Sequence, residues 1–101
     1  MQMNKILLLV AATICVQACT SPKMSEELQQ GKSTFTAGDY KNAFRELLPI
    51  AVDGNAEAQY AVGYMYYYGF GVEQDTQTGL VWIKKSATQN NLSAKNALKK
   101  M

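Results

Sequence analysis

Histidine is missing from the 101 residues, and cysteine and proline occur only twice each. Without imidazole, the commonest general base, the Ser-His and Cys-His nucleophile pairs and every histidine metal site are excluded. No apolar run approaches the roughly 20 residues that a spanning helix needs; the longest, at residues 6–16, is far shorter. Charge of either sign is also modest, ten Lys and Arg against eight Asp and Glu. A chain of this length holds one small domain. From residue 24 onward nothing alternates with the period of a strand, so an all-α fold is expected.

What is present begins with a targeting pattern. Met1 to Lys5 is a short polar start with one positive charge, and Ile6 to Val16 is mostly apolar. This predicts a signal peptide over 1–18. It closes on Val16-Gln17-Ala18-Cys19, which resembles the lipobox of bacterial lipoproteins. That resemblance implies lipidation of Cys19, with ordinary cleavage near Ala18, leaving a free thiol, as the alternative. Cys15 is a poor rival because bulky Ile14 precedes it. Thr20 after the cysteine implies, by the enterobacterial sorting rule, the periplasmic face of an outer membrane. With Cys19 carrying lipid no disulfide or thiolate metal site remains, so packing alone must hold the fold. Residues 19–24 read as a lipidated tether containing Pro22.

The helical domain is expected over 25–101. Ser25 before Glu26 and Glu27 predicts a first helix running to about Thr36. Asp39 caps a second, in which Tyr40, Ala43, Phe44, Leu47, Leu48 and Ala51 form one stripe; Pro49 inside it predicts a kink. Asn55 and Asp75 cap the third and fourth, with Ala58, Ala61, Val62, Met65 and Tyr66 on the inner face of the third. Asn90-Asn91 turns the chain into a fifth, amphipathic through Ala94, Ala97, Leu98 and Met101. Its polar residues Lys95, Asn96, Lys99 and Lys100 suit a capping helix.

A shift of 36 residues superimposes Asp39 on Asp75, Leu47 on Ile83, Ala51 on Ala87, Ala58 on Ala94 and Val62 on Leu98. This is a repeat of helical hairpins, the second with a loop four residues longer. Ala58-Gln59-Tyr60-Ala61-Val62-Gly63, Met65-Tyr66, Gly69, Gly71-Val72, Asp75, Trp82, Lys85 and Ala87 carry the resemblance to a family. In order and spacing they resemble the Sel-one-like repeat, a relative of the tetratricopeptide repeat. One full repeat covers about 55–90, with half repeats on either side. Gly79, Ser86 and Asn90 depart from the family pattern, and Gly79 is expected to soften its helix by about 1 kcal/mol. The resemblance implies an interaction module with a groove, no enzyme activity and no cofactor. A hydrolase branch of the family is cysteine-rich, and this chain lacks those cysteines.

The candidate site is a tyrosine cluster. Tyr60 and Tyr66 stand at family positions and are expected in the core, as is Trp82. Tyr64, Tyr67 and Tyr68 stand at variable positions, on the helix whose outer face would line the groove. Two readings compete: a partner surface, suited to aromatics with polar tips, or simple cover for neighbouring helices. The partner would be an envelope protein or peptide, or a second copy in a weak homo-oligomer; stacking on peptidoglycan sugars or a small molecule is the alternative. Residues 76–101 carry five lysines and no acid, either solvated helix ends or an anion-docking face. Nucleic acid is not expected. Gly31-Lys32-Ser33 lacks the first glycine and the strand of a phosphate loop. Asp53, Asn55 and Glu57 lack the glycine and distal glutamate of a calcium loop, and capping accounts for them. No metal site is expected.

Overall fold

The computed structural model describes residues 22–101, side chains from 23 onward. The expected signal peptide over 1–18 and Cys19 lie outside the described residues. Five helices follow one another: α1 Pro22–Thr36, α2 Tyr40–Val52, α3 Ala56–Tyr68, α4 Thr76–Thr88 and α5 Leu92–Lys100. Each packs mainly on its neighbours in sequence, α1 on α2, α2 on α3, α3 on α4 and α4 on α5. The result is an all-α, quasi-one-dimensional stack of antiparallel hairpins.

The caps explain the boundaries. Asp39, Asn55, Asp75 and Asn91 each accept the backbone N–H three residues on, from Asn42, Ala58, Thr78 and Ala94. Each thereby satisfies a donor that the first helical turn leaves unpaired. Asn90 takes the left-handed conformation at φ 66°, the turn in which Asn is tolerated. The start of α1 differs from expectation. It begins at Pro22 rather than after Ser25, and no acidic side chain falls in its first turn. Proline suits a first helical position, since its φ is preset and its missing N–H would be unpaired there anyway. Residues 22–24 are therefore helical, where a tether was expected. The second helix runs on through Pro49 to Val52, with the proline on its exposed side and its carbonyl accepting the Asp53 N–H.

The core follows the helical stripes. Ala43, Leu47, Ala51, Ala58, Val62 and Met65 are wholly buried, with Leu28 and Ile50 nearly so, and Phe44, Leu48, Tyr66 and Trp82 pack half-buried against them. Ile83 is equally buried on α4. Where α3 crosses α4, a Cβ added to Gly63 would lie 2.8 Å from the Gly79 carbonyl and 2.9 Å from the Ile83 nitrogen. One added to Gly79 would lie 2.7 Å from both the Gly63 carbonyl and the Tyr67 nitrogen. The two helices meet backbone to backbone, which is why both positions lack a side chain. Gly79 is a contact point, and its propensity cost sits beside a packing gain.

Ser86, the second departure from the repeat pattern, is buried and donates its hydroxyl to the Ala56 carbonyl at 2.6 Å. Beside it the Gln59 amide donates to the Ala51 carbonyl at 3.2 Å. Gln89 in turn donates to the Gln59 Oε1 at 2.9 Å and to the Gly54 carbonyl at 2.8 Å. This clasp ties the ends of α2 and α4 to the start of α3 and satisfies a buried amide. Among the described residues no buried side-chain nitrogen or oxygen lacks a partner.

Candidate functional site: an aromatic groove

The first helices of successive hairpins, α1, α3 and α5, line one open groove. One end is a cavity of about 480 Å3 walled by Lys32, Phe35 and Thr36 of α1, Glu57, Tyr60, Ala61 and Tyr64 of α3, and Asn91 and Ser93 at the start of α5, over Leu47. The other, about 390 Å3, is walled by Tyr60, Tyr64, Tyr67 and Tyr68 with Ser93, Asn96, Ala97, Lys100 and Met101. Tyr60, Tyr64 and Ser93 belong to both, so the two cavities are one groove.

Its floor is a ladder built by helical spacing. Tyr60, Tyr64 and Tyr68 recur every fourth residue and so share one face of α3. Their ring centroids are 6.2 Å and 4.7 Å apart, and Tyr67 adds an edge contact to Tyr68 at 4.9 Å. These are separations at which aromatic pairs attract. Phe70, in the loop after α3, stacks on Tyr64 at 5.8 Å with planes 12° apart. The same ring reaches Tyr40 at 4.8 Å, and Phe35 of α1 lies 6.2 Å from Tyr64 and 5.0 Å from Tyr40. Tyr68 is 49% exposed, whereas Tyr60, Tyr64 and Tyr67 are half-buried. Burial raises the Tyr60 pKa, reinforced by repulsion from Tyr64 and Tyr68, so its hydroxyl stays protonated and can donate.

Charge marks the two ends. Lys32 pairs with Glu57 across α1 and α3, both partly exposed. Lys100 stands at the α5 end. Among the described residues no three His, Cys, Asp or Glu side chains are grouped to hold a metal ion, and no helix is long and apolar enough to cross a membrane.

The three candidate tyrosines thus lie together, and the structure adds residues that the sequence reading placed elsewhere or passed over. Tyr60, expected in the core, is a groove residue, because its face of α3 points away from α2 and α4. Its fourfold spacing with Tyr64 and Tyr68 was the available signal. Phe35 and Phe70 arrive from α1 and a loop, for which sequence spacing held no signal. Asn96 and Lys100, read as the polar face of a capping helix, form the groove wall instead. Tyr66 and Trp82 stand as expected: Tyr66 packs edge-on against Phe44 at 5.3 Å, and Trp82 lies against the core with the Lys85 ammonium 4.8 Å above its ring. Gly31-Lys32-Ser33 sits inside α1, in helical backbone rather than in a loop. Asn55 caps α3, and Asp53 follows α2 as its C-cap.

The comparisons with known proteins agree with this geometry. Residues 56–91 match the Sel1 repeat family model. A putative Sel1-like repeat-containing protein of Acanthamoeba polyphaga mimivirus is 46% identical over 41 residues, which are 41% of this chain and 7% of that protein. The crystal structure of a Sel1 repeat protein from Oxalobacter formigenes superposes with a TM-score of 0.69 at 30% identity, covering 76% of this chain and 24% of that one. The chain spans under a quarter of the length of both relatives. The matched residues are α3 and α4, which form one complete Sel1 repeat between the α1–α2 hairpin and α5.

Proposed function

We propose that this chain is a lipid-anchored protein of the bacterial outer membrane that holds an envelope protein or peptide in its aromatic groove. Sel1 repeats serve protein–protein interaction, and the observation that carries the reading here is the Tyr60, Tyr64 and Tyr68 ladder, continuous across both cavities. Aromatic rings with polar tips bury area at little entropic cost and keep hydrogen-bonding capacity, the composition that favours interface cores. A sugar platform fits less well, because the Tyr64 ring is stacked on Phe70 and only Tyr68 of the cluster is well exposed. Anchoring rests on the Val16 to Cys19 motif.

A photoreactive residue replacing Tyr68, in cells that make the full chain, tests the groove. Discrete crosslinked protein bands, lost when Tyr64 is also changed to Ala, are expected. Crosslinks confined to cell-wall sugar would overturn the reading in favour of a glycan module, and crosslinks to the chain itself would make the partner a second copy. Labelled fatty acid should attach to the parent chain and not to Cys19→Ser; equal labelling of the two removes the anchor.

A further inference from the structure

The groove is uniform in its aromatic floor and unequal in its ends. Lys32 at one end is neutralised by Glu57. Lys100 at the other end belongs to residues 76–101, which hold five lysines and no acid. Residues 23–75 hold all eight acids against four bases. Of the charged side chains that line the groove, Lys32 and Glu57 pair beside Tyr60, while Lys100 beside Tyr68 faces no lining acid, so an acidic flank is favoured at the Lys100 end.

The dimensions suit a short peptide segment. From Tyr60 to Tyr68 the α3 axis rises about 12 Å, the span of about four extended or eight helical residues. Ser93 and Asn96 line the α5 wall beside the rings, where they can meet peptide backbone groups.

Resting on the groove reading above, we propose that the preferred occupant is an apolar peptide segment followed by acidic residues. Its apolar side chains lie on Tyr60, Tyr64 and Tyr68, and its acidic flank meets Lys100 at the α5 end. The tyrosine ladder supplies affinity common to all apolar segments. Lysine at one end supplies the selection by charge and the orientation.

Three fluorescent peptides sharing one Leu- and Phe-containing core, flanked by Glu, Gln or Lys, serve as probes against the full chain in mild detergent, read by anisotropy. The Glu-flanked peptide should bind about two- to fivefold more tightly than the Gln-flanked one, the range for an exposed ion pair, and the Lys-flanked one more weakly still. The order should flatten in Lys100→Gln and in high salt, while Tyr68→Ala should weaken all three peptides alike. Equal binding of the three peptides, lowered by Tyr68→Ala, would overturn the acidic preference and leave the groove reading standing. Binding unaffected by Tyr68→Ala, or no binding at all, would overturn both.

Discussion

The two hairpins are built on the same plan and closed differently. In the first, a Cβ added to Gly31 of α1 would meet the branched end of Leu47, 2.6 to 2.7 Å away. In the second, at the corresponding place, Gly63 faces the backbone of α4 at Gly79 and Ile83. Ala43 occupies in α2 the place that Gly79 holds in α4 under the 36-residue shift. One methyl group thus separates a contact that a side chain can adjust from one that only a shift of whole helices can relieve. The loops differ as well. The first is Ala37 to Asp39, while the second, four residues longer, sends Phe70 and Val72 back onto the core and onto the first hairpin. Gly71 between them, at φ 72°, lies where any Cβ would strike the Tyr40 carbonyl. The longer loop therefore fastens one hairpin to the other. At Gly63's place in α5 stands Lys99, so α5 does not offer a further helix the same close contact.

The largest test of this difference is truncation of the paired core residues Leu47 and Ile83, both wholly buried. Each change to Ala should cost about 2 to 5 kcal/mol, and Ile83→Ala should lie higher, because its helices are already in backbone contact and cannot close the cavity. Urea unfolding of both variants decides it; a larger loss for Leu47→Ala breaks the comparison. Gly63→Ala should cost about 1 to 3 kcal/mol by overpacking. Gly31→Ala should come out near neutral, since movement of Leu47 is offset by about 1 kcal/mol of helix propensity. Thermal midpoints of the pair would show equal losses if the contacts are equivalent.

Phe70→Ala, which removes a half-buried ring from the inter-hairpin fastening, should cost about 1 to 2 kcal/mol. Unfolding followed separately at Trp82 and at a probe on α1 should lose coincidence in that variant; retained coincidence would show that the α2 to α3 packing suffices. The smallest effect concerns acid. Asp75 accepts from the Thr78 hydroxyl at 2.7 Å and from the Thr78 backbone N–H at 3.1 Å, and these bonds hold its carboxyl below the usual range. Because the folded value is depressed, the cap contributes above the ordinary carboxylate pKa, and that contribution is lost as pH falls through the folded one. Asp75→Asn keeps an acceptor and does not titrate, so its midpoint should fall less on acidification than that of the parent chain. Parallel pH curves would remove Asp75 from the acid response.

Helix number, four of the five starts and the inner faces of α2 and α3 were legible in the residues, because caps and apolar stripes are local chemistry. Asp39, Asn55, Asp75 and Asn91 each act within three residues. The start of α1 at Pro22 was missed, since Ser25 offered an equally good local cap. Within the site, Tyr64, Tyr67 and Tyr68 could be nominated because they stand where the repeat pattern is variable. Tyr60 shares their helical spacing, but its match to the repeat pattern pointed to the core.

The sequence alone was enough to indicate the all-α class, the internal repeat and the resemblance to the Sel1 repeat, since these depend on the spacing of short-range signals along the chain. Only the tertiary structure decided that Gly79 is a packing contact, that Ser86 bonds the Ala56 carbonyl, and that Phe35, Phe70 and Lys100 converge on the tyrosine ladder. Each of these joins residues from different helices or loops, and which of them meet is settled by how closely the backbones approach and where a loop must run, quantities that no periodicity contains.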